Sequence, residues 1–142
     1  MINGPPLVTF RIAEPYTAAL RKVRKGLSQE GLRVPAELDV TSRIKQELGA
    51  GLAPCAVVYV DDPALLLEAV IFHRDAALAI PQPVVIAGHE RHTEVLVRSA
   101  DALFAGGLPL STRGPLLKLH QRIMRAMDAV AEREEASVTV AG

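Results

Sequence analysis

From Leu7 to Ala13 apolar and polar positions alternate, with Val8, Phe10 and Ile12 on one side and Thr9 and Arg11 on the other. A period of two residues predicts a half-buried strand. The period then changes. Tyr16, Leu20, Val23 and Leu27 recur at helical spacing after Glu14-Pro15, and Gly31 follows as a left-handed cap. Alternation returns at Leu32, Val34, Ala36, Leu38 and Val40, with Arg33, Pro35, Glu37 and Asp39 opposite, away from the core. Pro35 donates no backbone hydrogen bond, so it predicts an edge strand or a bulge. A short helix follows, with Ile44 and Leu48 as its inward pair and Gly49 as its stop.

Cys55 to Val60 is continuously apolar and predicts a strand buried on both faces. Asp62 and Pro63 are the N-cap and first turn of a helix that buries Leu65, Leu66, Ala69 and Val70. Leu78 to Ile86 is apolar but carries Pro81 and Pro83, an interrupted strand whose regular part is Val84 to Ala87. Gly88 to His92 is a turn and Thr93 to Arg98 the returning strand of a hairpin. Ala100 to Ala105 has the length of one or two helical turns, and Leu108 to Gly114 reads as a loop. The last helix starts at Pro115. Leu116, Leu119, Ile123, Met127 and Val130 form its inward stripe, and it ends near Glu132 to Glu135.

Hairpins mixed with helical crossovers predict an α+β domain: one mostly antiparallel sheet of about five strands with helices on one face. The expected boundaries are a flexible tail over 1–6, a single domain over 7–135 and a short C-terminal tail over 136–142. Ser137 to Val140 is available to extend an exposed sheet edge.

Charge narrows the partners. Sixteen basic residues balance sixteen acidic ones, which removes the electrostatic reason to expect nucleic acid or an anionic membrane. Low net charge also leaves little repulsion against self-association. Cys55 is the only cysteine, so no intrachain disulfide can form, as in a reducing compartment. The N-terminus lacks a basic region followed by an apolar one. The longest apolar candidate, Ala64 to Pro81, is broken by Glu68, His73, Arg74 and Asp75. The expectation is a soluble cytoplasmic protein.

Few residues carry candidate chemistry. His89, Glu90 and His92 resemble a metal trio, but the helical zinc-protease pattern needs the second histidine one residue later. In a turn the three have no fixed geometry, so neither a metal nor a cofactor is expected. His73 sits at a helix end, and His120 beside a core stripe reads as a packed or capping residue. Cys55 has no basic neighbour to stabilise a thiolate and reads as a small buried hydrophobe. Ser111 to Gly114 lacks the spacing and lysine of a phosphate loop, which leaves ordinary capping. Glu37 and Asp39 project from one strand face about 7 Å apart. Such a pair can hold a cation, raise each other's pKa or bind a cationic or polyhydroxyl ligand. The structural alternative is that Asp39 caps the helix near Thr41 while Glu37 pairs with Arg33 or Lys45.

Several blocks, taken in order, are similar to a known family. They are Glu37 to Val40 (ELDV), Ile44 to Gly49 (IKQELG), Asp61 to Pro63 (DDP) and Ala79 to Val85 (AIPQPVV). Over roughly Val8 to Val130 the chain resembles the domain-of-unknown-function 302 family of small bacterial and archaeal proteins. The resemblance implies a curved sheet backed by helices, similar to the TATA-box-binding-protein-like architecture, and pairing as a homodimer. It implies fold rather than function. Many members carry C-N-P where this chain has Asp61-Asp62-Pro63, and L-P-C where it has Ile80-Pro81-Gln82. Both family cysteines are therefore missing, Cys55 replaces neither, and a thiol-based role does not carry over.

The resulting expectation is a non-enzymatic homodimer that binds a small polar ligand through Glu37, Asp39, Lys45, Asp62 and Gln82, with no catalytic residue. The alternatives are a small enzyme using Glu37 and Asp39 for acid–base chemistry, and a structural or protein-interaction module.

Overall fold

A computed structural model of the chain describes residues 6–134. Strand β1 (Leu7–Ile12) leads into helix α1 (Tyr16–Gln29), strand β2 (Arg33–Asp39) and helix α2 (Val40–Leu48). Strand β3 (Cys55–Asp61), helix α3 (Pro63–Val70) and a 3-10 turn over Arg74–Leu78 follow. The hairpin β4 (Gln82–Gly88) and β5 (Thr93–Arg98), short helix α4 (Ala100–Phe104), long helix α5 (Leu110–Val130) and strand β6 (Glu132–Arg133) complete the described chain. The six strands form one sheet in the order β2-β3-β4-β5-β1-β6, every neighbouring pair antiparallel. Ser137 to Val140 lies outside the described residues.

One face of this sheet carries the core. Phe10 and Ile12 of β1, Val58 and Val60 of β3, Val84 and Ile86 of β4, and Val95 and Val97 of β5 are buried there. Ala19, Val23 and Leu27 of α1, Leu65 and Ala69 of α3, and Leu116, Leu119, Ile123 and Met127 of α5 belong to the same cluster. Each of these three helices thus buries a stripe at helical spacing in the shared core. Gly26 lets α1 lie close to α5, since a Cβ there would meet Val130 at 3.0 Å and the Ala126 carbonyl oxygen at 3.1 Å.

Local signals are met at the helix ends. Asp39 accepts from the Ser42 amide at 3.0 Å and caps α2. Asp62 accepts from the Ala64 amide at 2.8 Å and caps α3 ahead of Pro63. Gly31 and Gly49 take the left-handed conformation that ends α1 and α2.

Four smaller expectations need correction. The inward pair of α2 fails: Leu48 is 74% exposed and Ile44 is half-buried, and no residue of α2 is buried. The final helix begins at Leu110 and not at Pro115, so the expected loop Leu108 to Gly114 is mostly helical with Pro115 inside it. The hairpin strand starts at Gln82 and includes Pro83. This is tolerated where β5 does not pair, since the β4–β5 ladder runs only from Val85 to Gly88. Finally, β3 is buried on one face only: Ala56, Val58 and Val60 are buried, whereas Cys55, Val57 and Tyr59 are half-buried.

The β2 strand holds the most consequential difference. It is an edge strand, and its pairing with β3 shifts register between Arg33 and Ala36, a bulge at the proline. Leu32 and Val34 therefore pack on the core. Beyond the bulge every side chain changes face. Ala36 and Leu38 lie opposite Tyr59 and Val57 on the face without the core, and Glu37 and Asp39 lie opposite Val58 and Ala56 on the helix-bearing face.

Candidate functional site

The bulge turns Glu37 toward α1. There the Glu37 carboxylate receives both ends of the Arg24 guanidinium, with Nε donating to Oε2 at 3.2 Å and Nη2 donating to Oε1. This fork-to-fork geometry is the strongest form of exposed ion pair. The partner is thus Arg24, and neither Arg33 nor Lys45. Asp39, one rung along, is occupied by α2: its Oδ1 accepts from the Ser42 amide and its Oδ2 from the Ser42 hydroxyl at 2.9 Å. The two bonds hold its carboxyl below the usual carboxylate range.

The other expected ligands lie elsewhere. Lys45 is in the last turn of α2. Asp62 joins three helices: its carboxylate caps α3 and accepts from Arg122 of α5, whose Nη2 also donates to the Glu30 carbonyl oxygen at 2.5 Å at the end of α1. The Arg122 bond is the main reason its carboxyl titrates below the ordinary range. Gln82 is buried at the start of β4 and donates to the Ala79 carbonyl oxygen. Glu37 and Asp39 are neighbours on one strand face, while Asp62 and Gln82 serve capping and loop closure.

Beside Glu37 a groove of about 460 Å³ runs between α1 and β2. Arg24, Ser28, Arg33 and Glu37 give it polar walls, and Leu32, Val34 and Pro35 an apolar floor. A second depression of about 350 Å³ lies between α1, α5 and the end of β1, and its Lys22 and Glu14 are paired at 2.5 Å.

The remaining titratable groups have structural surroundings. Cys55 is half-buried and its amide is held by the Thr41 hydroxyl at 2.8 Å. Desolvation, then Asp39, pushes its thiol pKa up, the direction of an unreactive thiol. His120 is buried with Nε2 2.9 Å from the Arg98 carbonyl oxygen, and burial pulls its pKa down. Asp61 is 6% exposed, and burial pushes its carboxyl pKa up.

One cluster was missed by spacing rules drawn from helices. His89, His92 and Glu94, not Glu90, converge at the tip of the β4–β5 hairpin. Part of the signal was available as strand spacing, since His92 and Glu94, two apart, share a face; the rung that sets His89 beside them comes from the structure.

An antiparallel sheet with helices on one face, lacking a gathered set of catalytic groups among the described residues, defines a small α+β domain. The model of the family "Domain of unknown function DUF302" matches residues 8–130, so the chain belongs to that family. The fold is also that of an uncharacterised conserved DUF302 protein from Bacillus stearothermophilus, known from a crystal structure. The two share 16% sequence identity with a TM-score of 0.78, over 89% of this chain and 99% of that one. No curated protein matches the chain. Among the described residues no helix is long and apolar enough to cross a membrane.

Proposed function

We propose that this chain is a non-catalytic homodimeric domain that binds a small polar ligand in the groove between α1 and β2. The observation that carries the ligand reading is the groove itself. Its volume is that of a small-molecule site, and both charges of the Arg24–Glu37 pair stand on its wall. A ligand with an anionic and a cationic or hydroxyl group can exchange partners with that pair without leaving either charge unpaired. Acid–base catalysis fits less well, since the Asp39 carboxyl is shifted down, away from the range of a proton donor near neutral pH.

The dimer reading rests on the sheet face away from the core. Thr9, Leu96, Val85, Val57 and Leu38 follow one another in a single cross-strand row over five strands. Tyr59 and Ala36 continue the apolar surface beside it. A strand as apolar on both faces as β3 is the pattern of double burial, and one copy of the chain buries only half of it. A second copy placed on this face completes the burial.

The test is a thermal-shift screen with free amino acids and polyols on wild type, Glu37→Gln and Arg24→Gln. A ligand shift lost in both variants is the expected result, and equal shifts in all three would remove the site. For the dimer, light scattering at micromolar concentration should give twice the chain mass, and Val57→Asp should halve it. A monomeric wild type would end that reading.

A further inference from the structure

We propose that the tip of the β4–β5 hairpin is a binding site for a divalent transition metal of the zinc class, held by His89, His92 and Glu94. Donor atoms from the three side chains lie within 4.8 Å of one another. The backbone explains why. The His89 amide donates to the His92 carbonyl oxygen at 2.8 Å, which closes the hairpin over a two-residue tip, Glu90 and Arg91. His89 and His92 are then direct partners across the hairpin, and their side chains leave on the same face. Their rings stack with centroids 4.6 Å apart and planes 9° from parallel. Glu94, two residues beyond His92 on β5, shares that face. One of its oxygens stands 2.5 Å from His89 Nε2 and 4.0 Å from His92 Nε2.

The support beneath the site is fixed. The Gly88 amide donates to the Pro54 carbonyl oxygen at 2.7 Å, and Gly88 pairs with Thr93 as the last rung of the ladder. The buried Thr93 hydroxyl donates to the Glu14 carbonyl oxygen at 3.0 Å. A Cβ on Gly88 would meet Tyr16 Cβ at 2.9 Å, so the backbone here is pressed against α1. The ligands themselves keep freedom to adjust, with His89 exposed and His92 and Glu94 half-buried.

Coordination geometry decides whether the trio can close on an ion. Tetrahedral zinc, with nitrogen and oxygen donors about 2.0–2.1 Å away, sets donors about 3.4 Å apart. The widest separation here must shrink by roughly 1.4 Å to reach that spacing, within reach of side-chain rotation on a fixed hairpin. Two imidazoles and one carboxylate suit zinc, nickel or copper better than magnesium or calcium, which take all-oxygen shells. Three protein ligands leave a fourth position for water or an external group. Arg11 stands opposite Glu94 in the β1–β5 register, while the recorded partners of the Glu94 carboxylate are the two imidazoles.

The test is calorimetric titration of the metal-stripped full chain with Zn²⁺, with Co²⁺ absorption as an independent reading of coordination. The expected result is saturable binding of one Zn²⁺ per chain with micromolar or tighter affinity. His89→Ala and His92→Ala should each weaken it by at least about tenfold. The four-coordinate Co²⁺ bands should vanish in the double variant. The conservative His89→Gln and His92→Gln serve if an alanine variant unfolds. A wild type that takes up no Zn²⁺ at micromolar concentration would overturn the site. So would a double variant that binds it as tightly as wild type, since His73 or His120 would then be the ligand.

Discussion

The edge strand β2 and the β4–β5 hairpin tip both bring ionisable side chains together at short spacing, and they differ in what those side chains already hold. At β2 each carboxylate has a structural partner. Glu37 is clasped by Arg24, and Asp39 carries the first turn of α2. At the hairpin tip the side chains hold one another, and no helix end or core polar group depends on them. Polar groups recruited to caps and pairs are expected to show up as stability, whereas groups gathered without such a task show up as affinity. The contrast also separates two periodicities. A bulge decides where β2 points its carboxylates, and an unbroken ladder decides where the hairpin points its imidazoles.

The largest expected effect belongs to the carboxylate with the most structural work. Asp62 caps α3 and links it to α5, so Asp62→Ala should cost about 2 kcal/mol, since it also leaves the half-buried Arg122 without its partner. The same bond has a pH signature. The folded-state pKa of Asp62 is lowered, so the folded chain binds fewer protons there than the unfolded one. Its stabilisation is complete above the ordinary carboxylate pKa and is lost as pH falls through the lower folded value. Wild type should therefore lose stability on acidification below about pH 4 more steeply than Arg122→Gln. Parallel acid-unfolding curves for the two would contradict this account of Arg122.

A smaller effect is expected at the edge. Asp39→Ala should lower the melting temperature, while Asp39→Asn, which still accepts from the Ser42 amide, should restore most of the loss. Failure of Asn to rescue would mean that the charge, and not the cap, is what β2 requires. Placed beside it, the exposed Arg24–Glu37 pair is worth at most about 1 kcal/mol.

The smallest expected effect is at the hairpin. In metal-free protein, His92→Ala should leave stability within about 0.5 kcal/mol of wild type, the range of surface substitutions away from structural features. A loss as large as that of Asp62→Ala, measured by denaturant unfolding, would show that the trio is a structural clasp and erase the contrast.

Much of this was legible in one chain because it is local. Helix caps at Asp62, Gly31 and Gly49, the stripes of α1 and α5, and the hairpin after Ala87 all depend on residues within a few positions of one another. The edge position and bulge of β2 were legible too, because a proline without an N–H leaves few places in a sheet. What could not be read was the bulge's consequence. An extra residue at Pro35 exchanges the faces of everything after it, and only pairing with β3 shows where the exchange begins. That is why Leu38 faces away from the core and Glu37 meets Arg24, thirteen residues earlier. The hairpin trio needed the same knowledge: alternation predicts that His92 and Glu94 share a face, but the rung that sets His89 beside them is a tertiary fact. By itself the sequence determined most of the elements, the caps of α1, α2 and α3, and the family of fold. Tertiary structure alone decided which side chains meet, because a one-residue change of register costs the chain little locally and reverses every contact across the strand.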